Sequence, residues 1–228
     1  MIKAVIFDLD DTLYDEEMFV LGGFRAVAQF LQDRHGLNSE VLYSRMVQLL
    51  SREGRGKIFD VILAENGIDG LSVEQMVDVY RSHRPCLKLY PDAENVLKQL
   101  KGRVHLGIIT DGNTKVQWNK IRALGLDKIV ELVIVTDDLG PEYCKLSPVP
   151  YQLVMEKLKL DGKNIVYIGD NPNKDFITAR QLGWRTIRIC RPKGMFSDTR
   201  LDCTREADCE IGTLNEITAS GVISFADN

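Results

Sequence analysis

Two aspartates, Asp8 and Asp10, stand at the end of an apolar run from Ala4 to Phe7 in this 228-residue chain, with Leu9 between them. Such a run is typical of a buried strand, so both aspartates should lie at its carboxyl end. Because side chains alternate along an extended chain, Asp8 and Asp10 should leave the backbone on the same side. Two carboxylates that face one space repel each other unless a cation or a shared proton relieves the repulsion. The spacing therefore indicates cation binding or proton transfer, although an isolated Asp-x-Asp is also common in solvated turns.

Three further apolar segments that are predicted as strands also end in polar residues. They run from Val104 to Thr110, from Leu132 to Thr136 and from Ile165 to Gly169, and they are followed by Asp111, by Asp137 with Asp138, and by Asp170. Parallel strands place all their carboxyl ends along one edge of a sheet, where open α/β sheets bind their ligands. We therefore expect these polar residues to meet Asp8 and Asp10 in one site.

The segments between the strands carry the spacing of apolar residues that is typical of helices. Helices are predicted after Pro91, from about Thr114 to Leu124, from Val149 to Leu158, from Asp175 to Leu182 and from about Leu214 to Ser220, with further strands from Arg185 to Cys190 and from Cys209 to Ile211. Strands that are apolar on both faces and alternate with helices predict a parallel sheet covered on both sides. The fold class is therefore α/β, with a doubly wound parallel-sheet core.

One long segment interrupts this alternation. Between about residue 16 and residue 85 the apolar residues recur only at helical spacing, in four successive groups. The sequence therefore predicts a core domain made of residues 1–15 and 88–228 and an inserted, all-helical domain made of residues 16–87.

Composition and charge exclude several classes of protein. The net charge of -4 and the absence of a dense basic block argue against a nucleic-acid partner or an acidic membrane surface. The five cysteines are odd in number and lack short paired spacings, which argues against a disulfide framework and a zinc site. No segment reads as a secretion signal or reaches transmembrane length, so we expect a cytoplasmic protein. The sequence does not determine the oligomeric state.

Four groups of residues, taken in order, resemble the four motifs of the haloacid dehalogenase (HAD) superfamily of phosphohydrolases. They are Asp8-x-Asp10-x-Thr12, Thr110-Asp111-Gly112-Asn113, Lys145, and Gly169-Asp170-x-x-x-x-Asp175. Any one of these motifs is weak alone, but four in this order at strand ends are a specific pattern. The helical insert falls where the C1-type cap of subfamily I is found, and the resemblance therefore implies a Rossmann-like core with a helical cap.

The resemblance implies a magnesium-dependent phosphatase that hydrolyses a small-molecule phosphate monoester. Asp8 would attack phosphorus to give an aspartyl-phosphate intermediate, and Asp10 would protonate the leaving oxygen and later activate water. The carboxylates of Asp8 and Asp170 and the backbone carbonyl of Asp10 would hold Mg²⁺. The cation is needed because these carboxylates would otherwise repel a phosphate. Each pair of unit charges about 4 Å apart repels by roughly 4 kcal/mol at an effective dielectric constant near 20.

Other residues would bind the transferred phosphoryl group. Lys145 would supply a fixed positive charge to the transition state, and the Thr110 hydroxyl would hold a phosphoryl oxygen. Backbone amides near Asp111 and Gly112 would hold further oxygens, and Asn113 could add a donor. Lys145 is the only lysine between the third strand and the next helix. Its sequence context departs from the family, in which a proline usually follows the lysine directly.

Two residues have supporting roles in this resemblance. The Thr12 hydroxyl would hold Asp10 in position, although a threonine after a strand is also a common turn residue. Asp175 would support the metal ligands, or it would only place a negative charge at the start of a helix.

Several alternatives stay open at this point. The dehalogenases of the superfamily need no metal and lack the second aspartate, so Asp10 argues against them. A phosphomutase would share the site, but mutases of this type often carry valine where Thr12 stands. A non-catalytic phospho-ligand-binding or regulatory protein is the third possibility. The sequence does not identify the substrate. Arg52, Arg55 and Lys57 could face a leaving group or solvent, and His83 could reach the site or lie in a hinge or at the surface.

Overall fold

The computed structural model describes residues 1–219, and these form two compact units. One unit consists of Met1–Glu16 and the described residues from Lys88 onward, and the other is Glu17–Leu87. Each unit has a hydrophobic core of its own. Among the described residues, no helix has both the length and the apolarity that a membrane crossing requires.

The first unit contains a parallel sheet, as the sequence predicts. Its described strands are β1 Ala4–Phe7, β2 His105–Thr110, β3 Leu132–Val135, β4 Ile165–Gly169, β5 Arg185–Ile189 and β6 Cys209–Ile211, arranged in the order β3-β2-β1-β4-β5-β6. Phe7, the last residue of β1, pairs with Ile108 on one side and Ile168 on the other. β1 is therefore central, and β2 and β4 continue two residues and one residue beyond its carboxyl end.

The second unit is helical in the part described. Its helices are α1 Glu16–His35, whose first residue lies in the other unit, α2 Ser39–Glu53, α3 Ile58–Glu65 and α4 Val73–Ser82. Side chains cap two of them, because Asn38 accepts hydrogen bonds from the first turn of α2, and Ser72 forms a capping box with Gln75. Leu31, Met46, Ile62 and Met76 are fully or almost fully buried in its core.

The remaining helices belong to the first unit. They are α5 Pro91–Leu100, α6 Thr114–Ala123, α7 Val149–Leu158, α8 Ile177–Gln181 and α9 Glu216–Ala219. The predicted bounds of α7 are confirmed. The helix predicted from Asp175 begins two residues later, and the Asp175 side chain accepts a hydrogen bond from the Asn171 amide in the turn before it. The last helix is shorter than predicted, and Ser220 lies outside the described residues.

The two strands β1 and β4 are apolar because both of their faces are buried. All residues of β1 and β4 are buried, and side chains from α7 and α8 pack against β4. A chain with this pattern cannot expose either face of the sheet without losing about 25 cal/mol for each Å² of apolar surface. The loops at the carboxyl edge are thereby held on a rigid support.

Candidate active site

Three carboxylates meet at the carboxyl edge of the sheet. Asp8 directly follows β1, and Asp170 directly follows the neighbouring β4. One carboxylate oxygen from each of Asp8, Asp170 and Asp175 can be chosen so that the three lie within 4.8 Å of one another, and all three residues are buried. Asp8 and Asp170 are far apart in sequence, and the parallel pairing of their strands brings them together.

Asp175 reaches this cluster through a tight turn after β4. Its Oδ2 accepts a hydrogen bond of 2.9 Å from the Asn171 backbone amide, and its own amide donates to the Asn171 carbonyl over 3.0 Å. The carboxylate passes directly over Gly169, where an added Cβ would lie only 2.8 Å from the Asp175 Cγ. Glycine at position 169 is therefore a packing requirement of the site.

Lys145 joins two of the three carboxylates. Its Nζ lies 2.8 Å from Asp175 Oδ1 and also contacts Asp8 Oδ1, and the lysine side chain is completely buried. Burial favours the neutral amine, but the two carboxylates outweigh it and hold the pKa of Lys145 well above its ordinary value. The Lys145 backbone amide donates to Asp111 Oδ1 over 3.1 Å, which ties its loop to the end of β2.

The cluster would carry more negative than positive charge if all its carboxyl groups were ionised. Burial raises the pKa of the Asp8 carboxyl to about 7 despite the nearby charge of Lys145. Burial, together with Asp8 and Asp175, raises the pKa of Asp170 to about 9. With all three carboxylates ionised and Lys145 charged, two negative charges stay uncompensated. Oxygen ligands with a charge deficit of two fit Mg²⁺, which is a hard divalent cation.

Asp10 lies in a separate hydrogen-bonding group. Tyr14 Oη donates to its Oδ1 over 2.5 Å, Lys120 Nζ donates to the same oxygen over 2.7 Å, and Gln117 Nε2 donates to Oδ2 over 3.0 Å. Burial favours the neutral acid, but the charge of Lys120 and these hydrogen bonds bring the pKa of Asp10 below its ordinary value.

Thr12 does not have the role that the sequence predicts for it. Its hydroxyl is buried and has no hydrogen-bond partner among the described residues, whereas its backbone carbonyl accepts from Arg191 over 2.8 Å. The chain turns at Asp11, whose φ of 52° is left-handed. After this turn it is Tyr14, four residues beyond Asp10, that contacts the Asp10 carboxylate.

Thr110, Gly112 and Asn113 of the second motif have different local roles. Thr110, the last residue of β2, accepts a hydrogen bond of 2.6 Å from Gln117 on its hydroxyl. Gly112 has a φ of 128°, which only glycine adopts readily. Asn113 caps α6, and its Oδ1 accepts from the Val116 amide over 3.4 Å. The Asn113 side chain therefore orders the start of the helix.

The Asp111 side chain joins three loops instead of facing the carboxylate cluster. Besides the Lys145 amide, it accepts a hydrogen bond of 2.8 Å from the Thr136 hydroxyl and one of 3.1 Å from Lys174 Nζ. Burial favours the neutral acid, but the charges of Lys145 and Lys174 and these hydrogen bonds lower the pKa of Asp111. The part of Asp111 that could bind an anion is therefore its backbone amide.

Other candidates lie elsewhere. Asp137 accepts from the Thr114 amide over 2.9 Å, and Asp138 accepts from Trp118 Nε1 over 2.8 Å, so both support α6. His83 is buried in the helical unit, with Nδ1 2.6 Å from the carbonyl oxygen of Tyr80. Arg52, Arg55 and Lys57 also belong to that unit and are exposed.

Four residues at the site are absent from the sequence-based candidates: Tyr14, Gln117, Lys120 and Lys174. Gln117 and Lys120 had a detectable signal, because residues three apart on a helix share a face and α6 begins at the second motif. Both are polar side chains on the buried face of α6, where apolar residues are the rule. Their burial could have been inferred from that position.

Comparison with known proteins agrees with this geometry. The family model described as haloacid dehalogenase-like hydrolase matches residues 2–183. Glyceraldehyde 3-phosphate phosphatase of Methanocaldococcus jannaschii is 31% identical over 224 residues, covering 95% of this chain and 96% of that protein. Phosphoglycolate phosphatase of Neisseria gonorrhoeae is 29% identical over 225 residues, covering 95% of this chain and 92% of that protein.

Solved structures show the same architecture. The crystal structure of a 2-haloacid dehalogenase from Pseudomonas syringae superimposes with a TM-score of 0.65 at 27% identity, covering 96% of this chain and 97% of that one. The matched family model spans the strand-end site from β1 to the turn that holds Asp175. The chain belongs to the haloacid dehalogenase-like hydrolase family.

Proposed function

We propose that this protein is a magnesium-dependent phosphatase that hydrolyses a small-molecule phosphate monoester through an aspartyl-phosphate on Asp8. One observation carries the proposal: a buried aspartate at the end of the central strand contacts a buried ammonium and lies beside a second strand-end carboxylate. The names of the two phosphatase relatives support the reaction class. The dehalogenase neighbour shares the fold.

In the first step, the Asp8 oxygen that Lys145 does not contact attacks phosphorus. A bond forms between this oxygen and phosphorus, and the bond from phosphorus to the leaving oxygen breaks. Asp10 gives a proton to the leaving oxygen, which departs as an alcohol. Because the pKa of Asp10 is lowered in the free site, the negative charge of the bound phosphate has to raise it before this step. Lys145 holds the other Asp8 oxygen, so the nucleophile has a single orientation.

In the second step, water attacks the phosphorus of the aspartyl-phosphate. Asp10 takes a proton from this water, and the bond between phosphorus and the Asp8 oxygen breaks to release inorganic phosphate. Asp10 thereby ends the cycle in the protonation state with which it began it.

The carboxylates of Asp8 and Asp170 and the backbone carbonyl of Asp10 would hold Mg²⁺. The bound cation would neutralise negative charge on the substrate phosphate. Asp175 supports this arrangement because its Oδ1 lies 2.8 Å from Lys145 Nζ and fixes the ammonium. Its carboxylate is close enough to the other two to be a further ligand, and its contact with Lys145 favours the supporting role.

Phosphoryl oxygens would be held at the end of β2. The Thr110 hydroxyl and the backbone amides near Asp111 and Gly112 are the proposed donors, at the N-terminal end of α6, where the helix dipole favours an anion. Asn113 contributes by capping α6, which keeps these amides ordered. Lys145 adds positive charge to the same region.

The substrate is proposed to be a small phosphorylated aldehyde or hydroxy acid, because the two phosphatase relatives are named for substrates of these classes. We propose that residues 16–87 act as a C1-type cap for the core formed by residues 1–15 and 88–228. The five free cysteines are consistent with work in a reducing cytosol.

The test is phosphate release from glyceraldehyde 3-phosphate, phosphoglycolate and p-nitrophenyl phosphate, measured with Mg²⁺ and with a chelator. We expect turnover that requires Mg²⁺ and is abolished in Asp8→Asn, because an amide is a far weaker nucleophile than a carboxylate. Asp161→Asn is the matched control, because Asp161 is 77% exposed in its side chain. Activity in the chelator would exclude the metal role, and phosphate transfer to a second hydroxyl would identify a mutase.

A further inference from the structure

Helix α6 directs two polar side chains into the site from one face. Gln117 and Lys120 are 2% and 3% exposed, and both donate to the Asp10 carboxylate. Lysine and glutamine are seldom buried unless their polar atoms are paired. Their burial at this point therefore indicates a purpose that an apolar residue could not fulfil.

We propose that Gln117 and Lys120 are positioning residues that hold Asp10 at a fixed place relative to Thr110. This inference rests on the proposed phosphatase function. Neither residue needs to touch the substrate. They act through Asp10, which transfers the proton, and through Thr110, which holds the phosphate.

The hydrogen bonds determine the orientation of the Asp10 carboxylate. Lys120 occupies one of its oxygens at 2.7 Å, and Gln117 occupies the other at 3.0 Å. Two donors on two oxygens fix the plane of the carboxylate as well as its place. Tyr14 adds a third bond from the chain segment that follows Asp10.

Gln117 also sets the distance between the Asp10 carboxylate and the Thr110 hydroxyl. The same Nε2 that donates to Asp10 donates to the Thr110 hydroxyl over 2.6 Å. Thr110 ends β2 and Asp10 follows β1, so one amide nitrogen joins two strand ends. The side chain packs against the adjoining loop as well, since a Cβ at Gly112 would lie 3.2 Å from the Gln117 Cδ.

Lys120 is itself held from two sides. Besides Asp10, its Nζ lies 3.5 Å from Glu16 Oε1, at the first residue of α1. A buried ammonium between two carboxylates has little freedom to move. Lys120 is therefore a rigid support for Asp10.

Displacing Asp10 should affect substrates unequally. An alkoxide is a poor leaving group and needs a proton during bond cleavage, whereas p-nitrophenolate leaves readily without one. General acid catalysis contributes about 10²–10⁴-fold where it is needed. Because kcat/KM reports only the steps up to departure of the alcohol, it isolates this proton transfer from the later attack of water.

The experiment compares kcat/KM for p-nitrophenyl phosphate, phenyl phosphate and phosphoglycolate. Lys120→Met should lower the value for phosphoglycolate by about 30-fold or more and that for p-nitrophenyl phosphate by less than about threefold, with phenyl phosphate between them. Gln117→Met, which removes both hydrogen bonds without leaving an unpaired charge, should show the same order with smaller losses. Lys120→Arg should keep most of the activity. Lys115 is exposed on the same helix, and Lys115→Met should match the unmodified protein.

A structural role alone would give a different result. Equal losses on the three substrates in both methionine variants would overturn the inference and leave the phosphatase function intact. Failure of the unmodified protein to release phosphate from any of them would overturn the proposed function, and the inference with it. Gln117→Met keeps the test decisive if Lys120→Met does not fold.

Discussion

Lys145 and Asp175 form an ion pair in which neither side chain is exposed to solvent, with Nζ 2.8 Å from Oδ1. A buried pair of this kind is costly to form, and it is far more costly to leave half-formed. The pair also fixes the ammonium beside the proposed nucleophile, Asp8. Stability and catalysis should therefore respond together when Lys145 is changed.

Replacing Lys145 with methionine should destabilise the protein. The change leaves Asp8 and Asp175 buried without their common cation, and loss of one partner of a buried pair costs about 3–5 kcal/mol. Urea unfolding in the presence of a chelator measures this free energy. Lys163→Met, at a lysine 78% exposed in its side chain, should change it by less than about 0.5 kcal/mol. Equal stability of the two variants would contradict the importance of the buried pair.

Gly169→Ala should displace Asp175. The new methyl group would lie 2.8 Å from the Asp175 Cγ, so the carboxylate or the strand must move, at a cost of about 1–3 kcal/mol. We expect a lower free energy of unfolding and a large loss of turnover. Gly56→Ala is the control, because a Cβ there meets no atom within 4 Å. A Gly169→Ala protein as active and as stable as the control would show that Asp175 has room to adapt.

Asp170→Asn should separate the effect of charge from the effect of metal. Without a divalent cation, burial and the charges of Asp8 and Asp175 force Asp170 to take up a proton when the chain folds, which costs free energy at neutral pH, so its neutral replacement should raise the melting temperature measured in chelator. Mg²⁺ should raise the melting temperature of the unmodified protein by binding the folded state. The variant should lose this response. A variant that is still stabilised by Mg²⁺ would place the cation elsewhere.

Asp92 should contribute stability that disappears in acid. Burial favours its neutral form, but Arg191, the Leu214 amide and the Thr213 hydroxyl outweigh this and lower the pKa of Asp92 below its ordinary value. A pKa that is lower in the folded state stabilises the fold above the unfolded value and ceases to do so as the pH falls through the folded value. The loss should therefore occur below about pH 4.

Asp92→Asn tests this dependence. Its three hydrogen bonds, each 2.7 or 2.8 Å long, join α5 to the segments after β5 and β6. We expect a loss of about 1–3 kcal/mol at pH 7, and a smaller decline between pH 5 and pH 3 than in the unmodified protein. Urea unfolding over this range measures both. The exposed variant Asp161→Asn should keep the full decline, and an unchanged decline in Asp92→Asn would refute the assignment.

The fold and the carboxylates at the strand ends could be predicted from local patterns. A run of buried residues such as Ile165 to Gly169 specifies a strand by itself, and the polar residue that follows must lie at its end. Because parallel strands align their carboxyl ends, the sequence was enough to bring Asp8 and Asp170 together. These properties depend only on residues that are close in the chain and on the general rules of sheet topology.

The partners of each site residue were decided by the tertiary structure. Asp10 is bound by Gln117 and Lys120, which lie 107 and 110 residues away, and no local pattern identifies them as its partners. Thr12 was a plausible partner from its spacing, yet the left-handed turn at Asp11 places Tyr14 against Asp10 instead. Side-chain contacts of this kind depend on how far each helix begins from the sheet edge and on which face it presents, and these follow from packing of the whole core.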